Sequence, residues 1–520
     1  MERLRTCGIA IVISALALSC SGKGDTGGGS ADSENRRNGK DDTAVVGGHD
    51  TGPRASDVGG ADSDNPPPLD SGRRRSDSSN HSKRDSNATD DASSRQPMRT
   101  KWPRGLRWVR NNPMFISALN VQMGKPPSGV VNDYYDAFHA NAIHLWATGL
   151  PNELGGWLGT ARSDHRWVSW VKHDGTSADG GKLLGGMSAG AKGRIGYQVG
   201  DEPRSWKEYQ QMLNGVQAVR SKDPNALVYL NMSYLADDFE RMLKDMCNNS
   251  DIDLYSYDRY SRSQSEYETL ETIREWGLKC DKPYWRYLEA YENKGESDWP
   301  TESDMRWDAF VGLVYGFTGH TWFLYQVKPN HDLRPAFFTK TGDFGASRTK
   351  RFGIVAQINE ELANYGRVVT RLTSTDVRYI SDAPGGLTQP DGTSDWQKGA
   401  GNDPYIVAIN ASGASVQDVL IGFFHDNYGE RYVMFQNVNH SSSSFGVGGD
   451  QKATIELTFD FSSAPGSLDK TKVEWLDPTD GSIDTKALSR AGGNSKLSVT
   501  LDAGNAFLFK YANGKPWAKQ

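Results

Sequence analysis

Apolar extended segments alternate with amphipathic helical segments from Trp102 to about Leu372. Residues 205–221, for example, carry apolar side chains three or four positions apart, which is helical spacing. The apolar runs between such helices have the length of buried parallel strands. Eight strands are predicted, at 115–122, 142–148, 167–173, 195–200, 227–234, 252–257, 284–290 and 321–326. This repeat indicates an α/β domain, a closed (β/α)8 barrel of the TIM type, over residues 101–372.

The pattern changes after the predicted barrel. Short segments of alternating polar and apolar residues follow one another, separated by turn sequences such as Asp480-Gly481. Strands are predicted at 405–411, 419–424, 431–437, 453–459, 472–476, 496–501 and 506–511. Several short strands at this spacing predict an all-β sandwich domain over residues 373–520.

The first 20 residues have the pattern of an export signal. Arg3 and Arg5 precede an apolar core at 7–18, which is too short to span a bilayer. The sequence Leu-Ala-Leu-Ser-Cys at 16–20 resembles a bacterial lipobox. That resemblance implies a lipoprotein signal peptide over 1–20, cleavage before Cys20 and lipidation of Cys20. Ser21 then implies passage to the outer membrane. A cleaved secretory signal without lipid is the alternative.

Residues 21–100 contain no Phe, Trp or Tyr and are rich in Gly, Ser and Asp. Such a segment buries too little apolar surface to offset the entropy lost on ordering. It is predicted to be a disordered linker between the lipid and the barrel.

The chain has four cysteines. Cys7 leaves with the signal and Cys20 would carry the lipid, so Cys247 and Cys280 remain as an even pair in an exported protein. Each ends a helical segment just before a predicted strand. Those positions are neighbours on the barrel face away from the active site, so a disulfide is expected, with two free buried thiols as the alternative.

The formal net charge of -6 argues against a nucleic-acid partner. The ten histidines do not cluster at metal-ligand spacing, and no phosphate-binding loop or Gly-x-Ser-x-Gly motif occurs. Neither a metal nor a cofactor is therefore predicted.

Two predicted strands end in glutamates. The fourth runs into Gly-Asp-Glu-Pro at 200–203, and the seventh into Leu-Glu-Ala-Tyr at 288–291. Active sites of such barrels lie at the carboxyl ends of the strands, which makes Glu202 and Glu289 the candidate catalytic residues. Pro203 is expected to keep Glu202 extended. Two carboxyl groups facing one cavity suit glycosidic hydrolysis, because one protonates the leaving oxygen while the other attacks carbon or activates water. Glu292 is an alternative to Glu289.

These motifs resemble clan A glycoside hydrolases, which carry a Glu acid/base after strand 4 and a Glu nucleophile after strand 7. The resemblance covers roughly residues 105–370 and is closest to the family 42 β-galactosidase type. Residues 422–437 are also similar to sandwich domains of such proteins. It implies a retaining mechanism with Glu202 as acid/base and Glu289 as nucleophile. The clan usually has Asn where this chain has Asp201, so the contact with the sugar differs, or Asp201 is itself the acid.

Other residues near the strand ends are candidates for substrate contact, because aromatic faces stack on sugars and polar groups bind hydroxyls. Besides Asp201 they are Trp146, His173, Asn231, Tyr234, Tyr257, Asp258, Tyr260, Trp322 and Gln326. The alternatives are core packing for the aromatic residues and an ion pair with Arg259 or Arg286 for Asp258. The sequence thus predicts a surface glycosidase, lipid-anchored to the outer membrane and acting on a glycan. A non-catalytic glycan-binding lipoprotein is the second hypothesis.

Overall fold

The described part of the chain begins just before the barrel. The computed structural model describes residues 97–121, 125–146, 157, 165–174, 192–260, 262, 264–293, 300–329, 332–381, 389–441 and 449–518. The predicted signal peptide, Cys20 and nearly all of the predicted linker lie outside these residues.

Eight parallel strands close into a barrel. They are β1 (Phe115–Asn120), β2 (Ala142–Leu145), β3 (Arg166–Val171), β4 (Arg194–Asp201), β5 (Leu227–Ser233), β6 (Leu254–Asp258), β7 (Tyr284–Glu289) and β9 (Gly319–Gln326). Strands β1 and β9 pair to complete the ring. A short antiparallel ribbon of β8 (Tyr291–Asn293) and β10 (Leu333–Pro335) follows β7 and β9 at the mouth.

Helices flank the barrel strands. They are α1 (Arg104–Asn111), α2 (Ser128–Asn132), a π-helical turn (Asp133–Ala137), α3 (Trp206–Lys222), α4 (Phe239–Asn248), α5 (Gln264–Lys279), α6 (Glu302–Tyr315) and α7 (Lys350–Val369). Helix α6 begins with a capping box between Thr301 and Asp304, and Gly316 ends it in the left-handed conformation. Along its length α6 is buried between the barrel and the second domain.

Strand alternation decides which side chains enter the barrel. On β7, Trp285 belongs to an interior apolar layer to which seven of the barrel strands contribute. Phe115 of β1 stacks on Trp285 with ring centroids 4.2 Å apart. This layer fills the lower barrel, so the interior is a packed core and the polar groups above it form the mouth.

The second domain is a sandwich of two antiparallel sheets. The six-stranded sheet has the order β11-β13-β14-β20-β16-β17, and the four-stranded sheet β12-β15-β19-β18. The strands are β11 (Thr373–Ile380), β12 (Ile406–Ser412), β13 (Val419–His425), β14 (Arg431–Asn437), β15 (Ala453–Phe459), β16 (Lys472–Leu476), β17 (Ile483–Ala487), β18 (Ser489–Ala491), β19 (Asn494–Leu501) and β20 (Ala506–Tyr511), with a 3-10 turn at Ala400–Asn402. The predicted barrel followed by an all-β sandwich is therefore confirmed.

The six-stranded sheet packs against the barrel helices through one of its faces. On β13, Leu420 and Phe424 belong to the same apolar cluster as the barrel helices, whereas Val419, Ile421 and Phe423 belong to the core between the two sheets. Both faces of this sheet are thus buried.

Cys247 and Cys280 form a disulfide, with an S–S distance of 2.01 Å and Cα atoms 5.2 Å apart. Cys247 lies in the last turn of α4 and Cys280 directly follows α5, so the bond ties two neighbouring helices together where they lead into β6 and β7. Among the helices of the described ranges, none is long and apolar enough to cross a membrane.

Candidate active site

A β-bulge near the end of β4 directs Asp201 towards the barrel interior. Gln198 pairs with Tyr229 of β5, and Asp201 with Asn231, so β4 uses three residues where β5 uses two. The bulge includes Gly200, which has a φ of 67°. A Cβ atom there would lie 2.6 Å from Met212 Sδ, which explains the glycine.

Glu202 follows the bulge in an unusual backbone conformation. Its φ is 42°, so the expectation of an extended residue before Pro203 was wrong. Proline disfavours the right-handed helical region for the preceding residue, but the left-handed one is adopted here. The Glu202 N–H donates to the Asn231 carbonyl at 2.9 Å, a tertiary contact outside the reach of local sequence rules. A non-glycine residue in this region costs about 1–3 kcal/mol, and such strain is concentrated at functional sites.

Three carboxyl groups, from Asp201, Glu202 and Asp258, meet at this corner of the mouth. Asp258 ends β6, and its carboxyl group interacts with Glu202 and Tyr260. Arg204 lies 3.4 Å from the Glu202 carboxylate. Buried carboxylates this close together repel each other, so protonation of one member of the cluster is favoured.

The electrostatic setting of the cluster favours protonation. Burial, reinforced by the charges of Glu202 and Asp201, raises the pKa of Asp258 well above its ordinary value. Burial and the Glu202 charge raise the pKa of Asp201 to about 7. Burial also raises the pKa of Glu202, and both Arg204 and the neighbouring Asp258 oppose the shift. The cluster thus carries a proton in the neutral range, as a general acid requires.

Glu289 has a different environment. It ends β7 with its side chain at the mouth, and its carboxylate forms an ion pair with Arg262 from the loop after β6. Its backbone N–H donates to the Asp308 carboxylate of α6 at 3.2 Å. Burial raises the pKa of Glu289, and the Arg262 guanidinium opposes that shift. The ion pair favours the ionised form that a nucleophile needs.

Glu292, the alternative to Glu289, lies on β8. Its carboxylate is 3.4 Å from Arg334 of β10, across the short ribbon. It therefore ties the two ribbon strands together.

Tyr291 connects the two glutamate environments. Burial is the largest cause of its strongly raised pKa, followed by the charges of Glu289, Asp258 and Glu202. Its ring packs edge-on against Phe323 and Tyr260, at centroid distances of 5.3 and 5.5 Å. The Tyr291 hydroxyl therefore lies within electrostatic range of both candidate catalytic residues.

A chain of hydrogen bonds forms the floor of the mouth. The Tyr287 hydroxyl donates to Gln198 Oε1 at 2.6 Å and lies 2.9 Å from His144 Nδ1. Gln198 Nε2 then donates to Asp201 at 3.1 Å. Burial lowers the pKa of His144 to about 3, so the ring is neutral and can accept from or donate to its neighbours. This floor links β2, β7 and β4 beneath the carboxyl cluster.

Several residues of the site were missed in the sequence, among them Gln198, Tyr287, His144 and Arg262. Tyr287 lies two positions before Glu289, so strand alternation could have placed it on the same face. His144 lies two positions before Trp146, so strand alternation could also have placed it on the face that points to the mouth. The bulge obscured Gln198, and no local pattern singles out Arg262 because it lies in a loop.

Several predicted contact residues do border the mouth. Trp146 stacks on Trp170 with centroids 4.1 Å apart, in an apolar cluster that also contains Tyr291 and Phe323. Asn231 Nδ2 donates to Asp201 at 3.0 Å.

Tyr234 and Tyr260 complete this group. The Arg259 guanidinium lies 3.9 Å above the ring of Tyr234. Tyr260 interacts with the Asp258 carboxyl group. His173 is exposed on the turn after β3, and its predicted contact with substrate stays a prediction.

Two aromatic predictions were wrong. The Tyr257 hydroxyl donates to Glu266 of α5 at 2.8 Å, and Trp322 Nε1 donates to Asn359 of α7 at 2.8 Å. Both side chains lie between the strands and the helices, because alternation turns Tyr257 to the opposite face from Asp258.

Gln326 and the alternative role of Asp258 also need correction. Gln326 Nε2 donates to the Lys340 and Asp343 carbonyls, and its Oε1 accepts from the Gly342 N–H, so its amide braces a loop. Asp258 pairs with neither of the proposed arginines. Those arginines bind Glu266, and Arg286 also binds Asp308 at 2.5 Å.

No group of three His, Cys, Asp or Glu side chains suited to a metal ion occurs in the ranges that the structure covers.

Comparisons with known proteins give only distant structural matches. No family model matches the chain, and no curated protein matches it. Among solved structures, a glycoside hydrolase family 5 protein from Bacteroides vulgatus is similar over 78% of this chain and 91% of its own, at 11% identity and a TM-score of 0.46. A GH30 endoxylanase from Clostridium papyrosolvens is similar over 76% and 96%, at 10% identity and a TM-score of 0.37. An endo-beta-1,4-mannanase from Thermotoga petrophila is similar over 63% and 96%, at 10% identity and a TM-score of 0.35. Similarities this distant do not assign an activity to the chain.

Proposed function

We propose that this protein is a retaining glycoside hydrolase with Glu202 as acid/base and Glu289 as nucleophile. The observation that carries the proposal is the contrast between two acidic groups at one barrel mouth. Glu202 lies in a carboxyl cluster that retains a proton, and Glu289 lies against Arg262, which favours its ionised form. Environments that push carboxyl groups towards opposite protonation states are how one site supplies both an acid and a base.

The proposed reaction has two displacements. In the first, a Glu289 carboxylate oxygen attacks the anomeric carbon while the bond from that carbon to the leaving oxygen breaks. The leaving oxygen takes its proton from Glu202, and the sugar remains bound to Glu289 as an ester. In the second, Glu202 takes a proton from water, the resulting oxygen attacks the anomeric carbon, and Glu289 leaves as a carboxylate.

Asp258, whose pKa is raised, is proposed to supply a proton to Glu202 in this scheme. If Asp258 holds the proton in the resting site, its transfer to Glu202 leaves Asp258 as a carboxylate, and Glu202 can then donate the proton to the leaving oxygen. Asp201, which stands where the clan has Asn, binds Asn231 and Gln198 through Oδ1, and its other oxygen is proposed to contact the sugar.

The substrate class proposed is an oligosaccharide or polysaccharide. The stacked Trp146 and Trp170, with Tyr260 and Phe323, place aromatic rings beside polar groups at the mouth, which is the composition of sugar-binding sites. The relationship to the family 42 type belongs to the proposal and rests on the glutamates that follow the fourth and seventh barrel strands.

We also propose that the protein is exported and lipid-anchored through Cys20. The support is the charged start, the short apolar core and the cysteine that follows it. Mass spectrometry of the mature N-terminus tests this: a diacylglycerol-modified Cys20 in the wild type, absent from Cys20→Ser, is expected. An unmodified new N-terminus would indicate a secretory signal instead.

The activity is tested by incubating the protein with plant, algal and microbial polysaccharides and with a panel of 4-nitrophenyl glycosides. A reducing-end product whose first-formed anomer, followed by proton NMR, keeps the substrate configuration is expected. The inverted anomer would contradict the retaining mechanism. Binding of a polysaccharide without hydrolysis, unchanged in Glu202→Gln, would identify a non-catalytic glycan-binding protein.

A further inference from the structure

We infer that the β-sandwich helps to position the nucleophile: His440, in the segment after β14, acts on Glu289 through Asp304 and Arg262. His440 is a positioning residue in this scheme, because it contacts neither the substrate nor Glu289. The inference rests on the proposed function in one respect, the role of Glu289.

The first contact joins the sandwich to α6. His440 is buried, and its Nδ1 lies 3.0 Å from Asp304 Oδ1, while its ring packs against Trp307 with centroids 5.0 Å apart. Burial opposes ionisation of Asp304, but its bonds to His440 and the Arg262 charge lower its pKa to about 2. Asp304 is therefore a carboxylate, so His440 Nδ1 carries the hydrogen and donates it.

Asp304 divides its two oxygens between two tasks. Oδ2 accepts from the Thr301 N–H at 2.9 Å, which closes the capping box of α6. Oδ1 accepts from His440 and faces Arg262 Nε at 4.0 Å. The carboxylate is thus oriented from the helix terminus on one side and from the sandwich on the other.

Arg262 is the last connection. Its guanidinium pairs with Glu289 through Nη1, whereas its Nε is buried without a hydrogen-bond partner in the described part of the chain. Arg262 therefore lies between two carboxylates, bonded to Glu289 and just beyond bonding distance of Asp304.

This arrangement makes His440 and Arg262 competitors for Asp304 Oδ1. Without the imidazole hydrogen, that oxygen would accept from Arg262 Nε, since an unsatisfied buried donor lies only 4.0 Å away. Closing that gap would draw the guanidinium away from Glu289. The pKa of Glu289 would rise, and its carboxylate would lose its orientation for attack.

Three variants separate this role from simple packing. His440→Phe keeps a ring against Trp307 but removes the donor. His440→Asn keeps a short donor near the position of Nδ1. Gln436→Met is the matched control, because Gln436 also joins the sandwich to the α6 region, donating to the Trp307 and Gly504 carbonyls at 3.2 and 2.9 Å, without touching the chain to Glu289.

The kinetic test uses the 4-nitrophenyl glycoside that the wild type hydrolyses fastest. His440→Phe is expected to lower kcat about tenfold with KM within about twofold, since a misplaced reacting group costs rate more than binding. His440→Asn should recover most of kcat, and Gln436→Met should keep it while losing thermal stability. An unchanged kcat in His440→Phe, or an equal loss in Gln436→Met, would overturn the inference.

A second readout does not depend on turnover. Carbodiimide labelling of Glu289, followed by peptide mass spectrometry across pH, reports its protonation. The charged and titratable groups facing Glu289 are Arg262 from the loop, Asp304 and Asp308 from α6, and Tyr291 from β8. We expect the labelling midpoint to move up by about half a pH unit or more in His440→Phe and to stay in place in Gln436→Met. If the wild type hydrolyses no substrate but the labelling midpoint still moves in His440→Phe, only the proposed function is wrong. If the midpoints of His440→Phe and the wild type are equal, the inference is wrong.

Discussion

The two acidic corners of the barrel mouth are built from the same chemical group but differ in what surrounds it. At the ends of β4 and β6, Glu202 is crowded by two other carboxyl groups, with Arg204 at 3.4 Å. At the end of β7, Glu289 is in direct contact with Arg262. Both glutamates are buried, so burial alone would raise the pKa of each. The neighbouring groups oppose that shift at both glutamates, and the carboxyl corner differs in holding Asp258, whose pKa is raised well above its ordinary value.

The two corners also differ in the parts of the protein that hold them in place. The carboxyl cluster depends on a bulge and on a left-handed glutamate, features of the barrel itself. Glu289 depends on α6, whose Asp308 accepts its backbone N–H, and through α6 on the sandwich. The proposed nucleophile is thus held by both domains, whereas the proposed acid is held by the barrel.

Replacing the Glu289 carboxylate, which contacts Arg262, should have the largest effect on kcat. Glu289→Gln keeps the shape of the side chain but removes the nucleophilic oxygen, so kcat should fall by about 10⁴-fold or more for every substrate. Steady-state kinetics with the preferred glycoside measures the loss. Glu292→Gln is the control and should stay within about threefold; a larger loss there than in Glu289→Gln would reverse the assignment.

Replacing the acid at the carboxyl corner should have an effect that depends on the leaving group. Glu202→Gln cannot protonate the departing oxygen. General acid catalysis typically accelerates a reaction by about 10²–10⁴-fold, so the rate should fall by a factor in that range. The loss should be large for alkyl or sugar leaving groups and small for 2,4-dinitrophenol, which needs no proton. Comparing kcat/KM for the two substrates checks this. Equal losses for both would remove Glu202 from the acid role.

Removing the Arg262 cation should make the ionisation of Glu289 more like that of the carboxyl groups at the other corner. Without Arg262, burial raises the pKa of Glu289 unopposed, so the acidic limb of the kcat/KM profile in Arg262→Met should move up by about one pH unit or more. Arg262→Lys keeps a positive charge and should move it less. A profile that stays in place in Arg262→Met would mean that Arg262 does not set the ionisation of the nucleophile.

The smallest effect is expected from neutralising one member of the carboxyl cluster. The pKa of Asp201 is raised from 3.8 to about 7 in the folded state, so its contribution to stability is present below about pH 4 and is lost as the pH rises through 7. Asp201→Asn keeps the Oδ1 acceptor and stays neutral. It should be more stable than the wild type by up to about 4 kcal/mol at pH 8 and equal to it at pH 4.

Urea unfolding at both pH values measures this difference. A gain of the same size at pH 4 and pH 8 would contradict the titration of Asp201. The same variant also tests whether Asp201 is the acid, because hydrolysis should persist in Asp201→Asn if Glu202 has that role.

Local patterns in the sequence were sufficient for the barrel, the sandwich and the two strand-end glutamates. Strand alternation and helical spacing are properties of short segments, and parallel strands necessarily bring their carboxyl ends to one edge. Cys247 and Cys280 could be paired for the same reason, since both lie where a helix leads into the next strand. Tyr257 and Trp322 were predicted wrongly because a position near the end of a strand does not specify which face of the strand the side chain occupies.

Only the tertiary structure decided which groups act on those glutamates. The bulge at Gly200, the left-handed Glu202 and the contact of Asp258 with Glu202 arise from pairing between strands far apart in sequence. Arg262 lies in a loop, and His440 belongs to another domain, so no periodicity relates either of them to Glu289. A short segment dictates its own hydrogen bonding and which side is apolar, but the charges around a buried carboxyl group depend on how distant segments pack.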